Sequence, residues 1–111
     1  MGTIKKLYHI TFPVSDVKRA ASFYENVLGL KKTSEWPNYV EFDVGGVQFG
    51  FGARGKLEIF LLVDDVDRAY QELKAKGVKF ITEPKDMHWG ARAATLMDPD
   101  GNKFTIETFK K

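Results

Sequence analysis

Few residues in this chain are equipped for chemistry, and their types narrow it. There are two histidines, His9 and His88, and no cysteine. Thiolate nucleophiles, disulfides and Cys-held zinc or iron–sulfur centres are excluded. Imidazole and carboxylate remain for proton transfer or metal ligation. His9 lies in an alternating segment, on the face opposite Tyr8, Ile10 and Phe12. By itself a strand histidine is more often a hydrogen-bonded structural residue than a ligand. Glu107 shares a face with Thr105 and Lys103, opposite Phe104 and Ile106. It either faces solvent or points inward, where a carboxylate needs a metal, a buried cation or a raised pKa. Glu58 either joins such a site or pairs with a lysine. Arg92 either binds an anionic substrate or decorates an edge strand. His88 and Trp89 either cap a cavity or sit in an exposed loop with one aromatic packed down. Gly50 and Gly52 alternate with Phe49 and Phe51 and leave one wall bare, with room for a ligand or for close backbone approach.

The elements that position these residues come in two copies. His9-Ile-Thr-Phe-Pro-Val-Ser-Asp-Val-Lys-Arg-Ala20 matches Glu58-Ile-Phe-Leu-Leu-Val-Asp-Asp-Val-Asp-Arg-Ala69. A repeat of this period indicates a duplicated supersecondary unit. Each copy reads as a strand, then a helix. Tyr8, Ile10, Phe12 and Val14 alternate with their neighbours at the strand period. Asp16 and Asp65 stand where N-caps belong. Val66, Ala69, Tyr70 and Leu73 make one helical stripe, as do Val17, Ala20, Ala21, Tyr24 and Leu28. Gly29 and Gly77 suit the left-handed residue that ends a helix. Short strands follow at about 31–34, 39–44 and 47–51, then 78–81, 93–97 and 103–106. Asp43-Val-Gly-Gly46 and Asp98-Pro-Asp-Gly101 read as turns, 83–90 as a loop, and Arg54-Gly55-Lys56 as the link between copies.

The 111 residues fit a single domain, 1–111, containing a first unit at 5–52 and a second at 57–109. A hydrophobic fraction of 43% is enough for a packed core, and the net charge of +2 points to no particular partner. The lysines at the two ends (Lys5, Lys6, Lys110, Lys111) read as solvated. No Lys/Arg block suggests nucleic acid, no segment approaches a membrane span, and the N-terminus lacks the apolar run of a signal peptide. The expectation is a cytoplasmic protein with no nucleic-acid or membrane partner.

The phrases themselves resemble a known superfamily. His9-Ile-Thr-Phe-Pro-Val-Ser-Asp followed by Ala-Ser-Phe-Tyr24-Glu-Asn-Val-Leu-Gly29-Leu is similar to the opening of vicinal oxygen chelate proteins. Asp64-Asp-Val-Asp-Arg-Ala, Gly77-Val, Trp89-Gly and Asp98-Pro-Asp-Gly-Asn102 with Glu107 resemble their second half. The superfamily includes glyoxalase I, methylmalonyl-CoA epimerase, extradiol dioxygenases, fosfomycin-modifying enzymes and bleomycin-binding proteins. The resemblance implies an α+β fold: two tandem βαβββ units forming an open, curled mixed sheet with helices outside. It also implies a divalent metal, held by the first and last strands of each unit. Carried over by position, the ligands are His9, Glu58 (where the family usually has His) and Glu107. The fourth place falls near Gly52, which has no ligating atom. One imidazole and two carboxylates suit Mn, Fe, Co, Ni or Zn.

Two function classes follow. One is a glyoxalase-type metal-dependent lyase or isomerase acting on a small oxygenated substrate, with the metal as Lewis acid and Glu58 or Glu107 as general base. In it Phe60, Trp89 and Arg92 face the substrate, although Trp36, Tyr39, Phe49, Phe51 and Phe60 also read as barrel lining and core. The other is a metal-free protein that sequesters a small molecule, as bleomycin-resistance relatives do; Gly52 and the short chain favour it. Fold alone does not choose between them. Both imply a homodimer, because a chain this small gains from burying more surface.

Overall fold

The computed structural model describes residues 3–54 and 56–109. Gly55, the centre of the expected link, and the terminal Lys110 and Lys111 lie outside the described residues. The chain divides into two compact units. One is Tyr8–Glu58; the other joins the segment up to Leu7 with the residues from Ile59 onward.

In the first unit, strand β1 (Lys6–Pro13) leads to helix α1 (Val17–Ser22), then to β2 (Lys31–Trp36), β3 (Tyr39–Val44) and β4 (Val47–Gly52). β1 runs parallel to β4, and β3 lies antiparallel between β4 and β2. The β3–β4 turn works because Gly45 (φ 59°) and Gly46 (φ 93°) both take left-handed backbone, as a two-residue hairpin turn requires. Asp16 starts α1 by accepting the Arg19 N–H at 3.0 Å. The helix does not continue as a regular α-helix through Leu28. Residues Phe23–Val27 form a π-helical turn, in which the Leu28 N–H donates to the Phe23 carbonyl at 3.0 Å. The extra residue in that turn takes Leu28 off the expected apolar stripe and leaves it 51% exposed. Tyr24 stays inward, packing on Phe12, Phe42 and Phe51.

The second unit repeats the plan. Strand β5 (Glu58–Leu62) is followed by α2 (Val66–Ala75), β6 (Lys79–Phe80), β7 (Lys85–Asp86), β8 (Ala91–Met97) and β9 (Lys103–Phe109). β5 runs parallel to β9, and β9 antiparallel to β8. The two-residue strands β6 and β7 pair in succession along the other side of β8. β7 lies in the segment expected to be loop, where two ladder positions are too short to leave a periodic signal. Asp65 caps α2 through the Arg68 N–H at 3.1 Å. The β8–β9 turn is tied by Asp98, which accepts from the backbone of Asp100 and Asn102 and from the Asn102 side chain. Those bonds hold its carboxyl below the ordinary range.

Each unit has its own core on the helix side of its sheet. Phe42, Phe51 and Val40 meet Ala21 in the first; Ile106, Ala94 and Val63 meet Val66, Ala69 and Tyr70 in the second. Burying a side chain such as Phe51 or Ile106 is worth about 1.5–3 kcal/mol. Among the described residues no helix is long and apolar enough to cross a membrane.

Candidate functional site

The strand alternation that buries Phe42 and Phe51 sends their neighbours to the opposite face. In the first unit that face carries His9 and Thr11 from β1, Gly50 and Gly52 from β4, and Tyr39 and Glu41 from β3. The register fixes their meeting: Thr11 is opposite Gly50, Glu41 opposite Gly50, and Tyr39 opposite Gly52.

Three of these side chains converge. The Tyr39 hydroxyl donates to Glu41 Oε2 at 3.0 Å. His9 Nε2 lies 3.0 Å from the same hydroxyl and 3.5 Å from Glu41 Oε2. With the phenol proton committed to Glu41, the imidazole N–H donates to the phenol oxygen. The side chains of His9 and Glu41 are only 14% and 20% exposed. Burial pushes the His9 imidazole below its ordinary pKa, and the Glu41 carboxylate offsets part of that. The wall expected to be bare is therefore filled. A Cβ built on Gly50 would stand 1.9 Å from the Tyr39 hydroxyl and 2.8 Å from His9 Nε2. Glycine at 50 is what lets the two rings reach over β4. The Thr11 hydroxyl on this face is buried without a hydrogen-bond partner among the described residues. Further along, Thr33 donates to Gln48 at 2.9 Å and Gln48 to Asp43 at 3.1 Å.

The second unit arranges its corresponding face differently. Glu107 is 1% exposed and lies opposite Ala93. Thr105 lies opposite Thr95, with their hydroxyls 3.1 Å apart, and on its other side opposite Phe60, which is 8% exposed. Glu58 is exposed at the start of β5. Trp89 is 47% exposed, with the His88 ring edge-on at 4.9 Å. Arg92 is on the helix side of β8, the face opposite Glu107. Its guanidinium clasps both carboxylate oxygens of Asp67 on α2, at 2.7 and 2.9 Å, and Asp86 on β7 at 3.1 Å. Asp67 is held below the usual carboxylate range by these bonds.

Among the described residues, no three His, Asp or Glu side chains form a group that could hold a metal ion. Sequence reasoning missed Glu41 and read Tyr39 only as lining. A usable signal was present: the glycine turn fixes the β3–β4 register, and that register sets Tyr39 and Glu41 over Gly52 and Gly50.

These features belong to a recognisable class. Residues 6–106 match the glyoxalase/bleomycin resistance protein/dioxygenase superfamily, and the chain belongs to that family, with its α+β fold of paired βαβββ units. The chain is 35% identical to the uncharacterized protein YraH of Bacillus subtilis, over 95% of this chain and 98% of that one. It is 25% identical to the metallothiol transferase FosB of Lysinibacillus sphaericus, over 96% and 84% respectively. In fold it resembles the methylmalonyl-CoA epimerase of Mycobacterium tuberculosis, with TM-score 0.78 and 17% identity over 98% of this chain and 91% of that one.

Proposed function

We propose that this chain takes a small oxygenated molecule against the His9–Tyr39–Glu41 face and carries out glyoxalase-type isomerase or lyase chemistry on it. The observation behind this reading is the hydrogen-bonded convergence of an imidazole, a phenol and a carboxylate on the polar sheet face of a superfamily member. A ligand carbonyl or hydroxyl oxygen that takes the place of Glu41 as acceptor receives the Tyr39 phenol proton in its hydrogen bond instead. A carboxylate next to it is placed to accept a proton from an adjacent carbon or hydroxyl. Glu58 and Glu107 remain proposed general bases, and Phe60 and Trp89 proposed substrate contacts. Arg92, bound to Asp67 and Asp86, is better suited to holding β7 against α2. No step is routed through the divalent metal expected with His9, Glu58 and Glu107. The reading treats the chain as one domain of two repeats, 5–52 and 57–109, working in the cytoplasm as a homodimer.

The second reading, metal-free sequestration of a small molecule, is favoured by Gly52, which puts no donor at the fourth family position. A panel of hemithioacetals, epimerisable acyl thioesters, catechols and bleomycin-type antibiotics, screened by calorimetry and product analysis, separates the two. Turnover of any substrate that is lost in Glu41→Gln supports the enzyme. Tight binding without turnover supports sequestration. Binding that neither Tyr39→Phe nor Glu41→Gln alters would place the working site elsewhere and defeat the proposal.

A further inference from the structure

The first unit has a pocket on its helix side, away from the His9–Tyr39–Glu41 face. Its volume is about 470 Å³, within the roughly 300–1,000 Å³ of small-molecule sites. Val14, Ala20 and Tyr24 give it apolar walls, and Ser15, Arg19 and Phe23 line it from exposed positions. Arg19 donates through one terminal nitrogen to the Ser15 hydroxyl oxygen at 3.0 Å. That bond steadies the guanidinium, and because Ser15 accepts it, the hydroxyl proton is left for another acceptor. Phe23 is 47% exposed, and the Tyr24 ring stands edge-on to it at 5.4 Å and 81°. The one acid in the lining, Asp16, is occupied as the helix cap through the Arg19 N–H. Among the described residues the Arg19 guanidinium makes no ion pair.

The geometry points to a binding site for a small aromatic carboxylate, with the acid group on Arg19 and Ser15 and the ring in the corner between Phe23 and Tyr24. A guanidinium is a planar fork of donors that matches a carboxylate, and such charge-assisted bonds are the strong ones. A half-exposed ring with a second ring perpendicular to it offers a further aromatic both a stacked and an edge-on partner.

The other repeat supplies the contrast. Arg19 corresponds to Arg68, and four residues on, Phe23 corresponds to Glu72. In the second unit Arg68 Nε donates to Glu72 Oε1 at 2.9 Å, so that arginine carries its own counterion. In the first unit the carboxylate is replaced by a phenyl ring, and the counterion has to come from outside the helix. The backbone differs at the same place. Helix α2 is regular from Val66 to Ala75, whereas the π-helical turn of the first repeat begins at Phe23. Single π-turns within helices recur at functional sites. This site shares no residue with the polar face, so it stands or falls apart from the proposed function.

The test titrates the full chain, labelled with nitrogen-15, with 2-naphthoate and with its uncharged amide, naphthalene-2-carboxamide, following backbone amide shifts. Wild type is expected to show saturable shifts at Ser15, Arg19 and Phe23 with the acid. The amide should bind at least about tenfold more weakly, the scale of a lost hydrogen bond to a charged group. Arg19→Gln should weaken naphthoate to the same extent. Phe23→Glu, which rebuilds the Arg68–Glu72 arrangement in the first repeat, should abolish binding. Arg68→Gln should leave it unchanged. Circular dichroism checks that each variant is folded, and the comparison of acid with amide on wild type needs no variant. Absence of saturable shifts in wild type overturns the inference, as does equal affinity for acid and amide. Wild-type affinity in Arg19→Gln overturns it too, and so do shifts centred on His9, Tyr39 and Glu41, which would put the ligand on the other face.

Discussion

The two repeats have the same strand order and comparable cores, yet opposite solutions on the other sheet face. Where the first has Tyr39 opposite Gly52, the second has Ala93 opposite Glu107. Large and small have changed places across the ladder. The first repeat builds its polar group from β3 and clears β4 with glycine; the second keeps its carboxylate on β9 and clears β8 with alanine. Duplication preserved what each helix needs beneath it and let the opposite face diverge. The helix-side residues are constrained by packing density, whereas polar-face residues need only satisfy one another.

If the cores are equivalent, Phe51→Ala and Ile106→Ala should be comparably damaging. These residues occupy matching ladder positions, opposite Phe12 and Leu61, and both are fully buried. Each should cost about 2–5 kcal/mol in urea unfolding. A large effect in only one would break the equivalence. The polar faces should respond unequally. Gly50→Ala places a methyl group 1.9 Å from the Tyr39 hydroxyl and should cost about 1–3 kcal/mol by overpacking. Thr105→Ala, at the matching place, should cost about 1 kcal/mol at most, through its bond to Thr95. Equal losses in the two would argue that the glycine is not there for the rings. Tyr39→Phe should destabilise the protein by about 1 kcal/mol, for one lost hydroxyl between two polar partners. The smallest effect concerns the Arg92 clasp of the second repeat. Asp67 is held below its ordinary pKa by Arg92, so its contribution is present above about 3.8 and is lost as pH falls through the depressed value. Arg92→Gln should therefore lower stability slightly at neutral pH and make no difference in strong acid, measured as thermal midpoints across pH.

Much of the framework was legible from residues alone. Asp16 and Asp65 announced both helices, the paired glycines after Val44 announced the hairpin, and the matched His9 and Glu58 segments announced the duplication. The π-turn at Phe23–Val27 was not legible, because a stripe of Val17, Ala20, Tyr24 and Leu28 looks the same whether or not one residue is inserted into the spiral. Two-residue β7 was too short to carry a pattern. At the site, His9 stood out by its rarity, but Glu41 did not stand out among fifteen acidic residues.

Sequence by itself determined the period of each element, its caps and turns, and hence which residues share a strand face, because these are local consequences of backbone geometry and side-chain alternation. Only the tertiary structure decided which polar groups meet. His9 and Tyr39 are thirty residues apart along the chain, and their contact depends on β4 lying between β1 and β3 in one register. That register is set jointly by the hairpin turn and by the burial of Phe12, Phe42 and Phe51 against α1, a cooperative condition that no single segment contains.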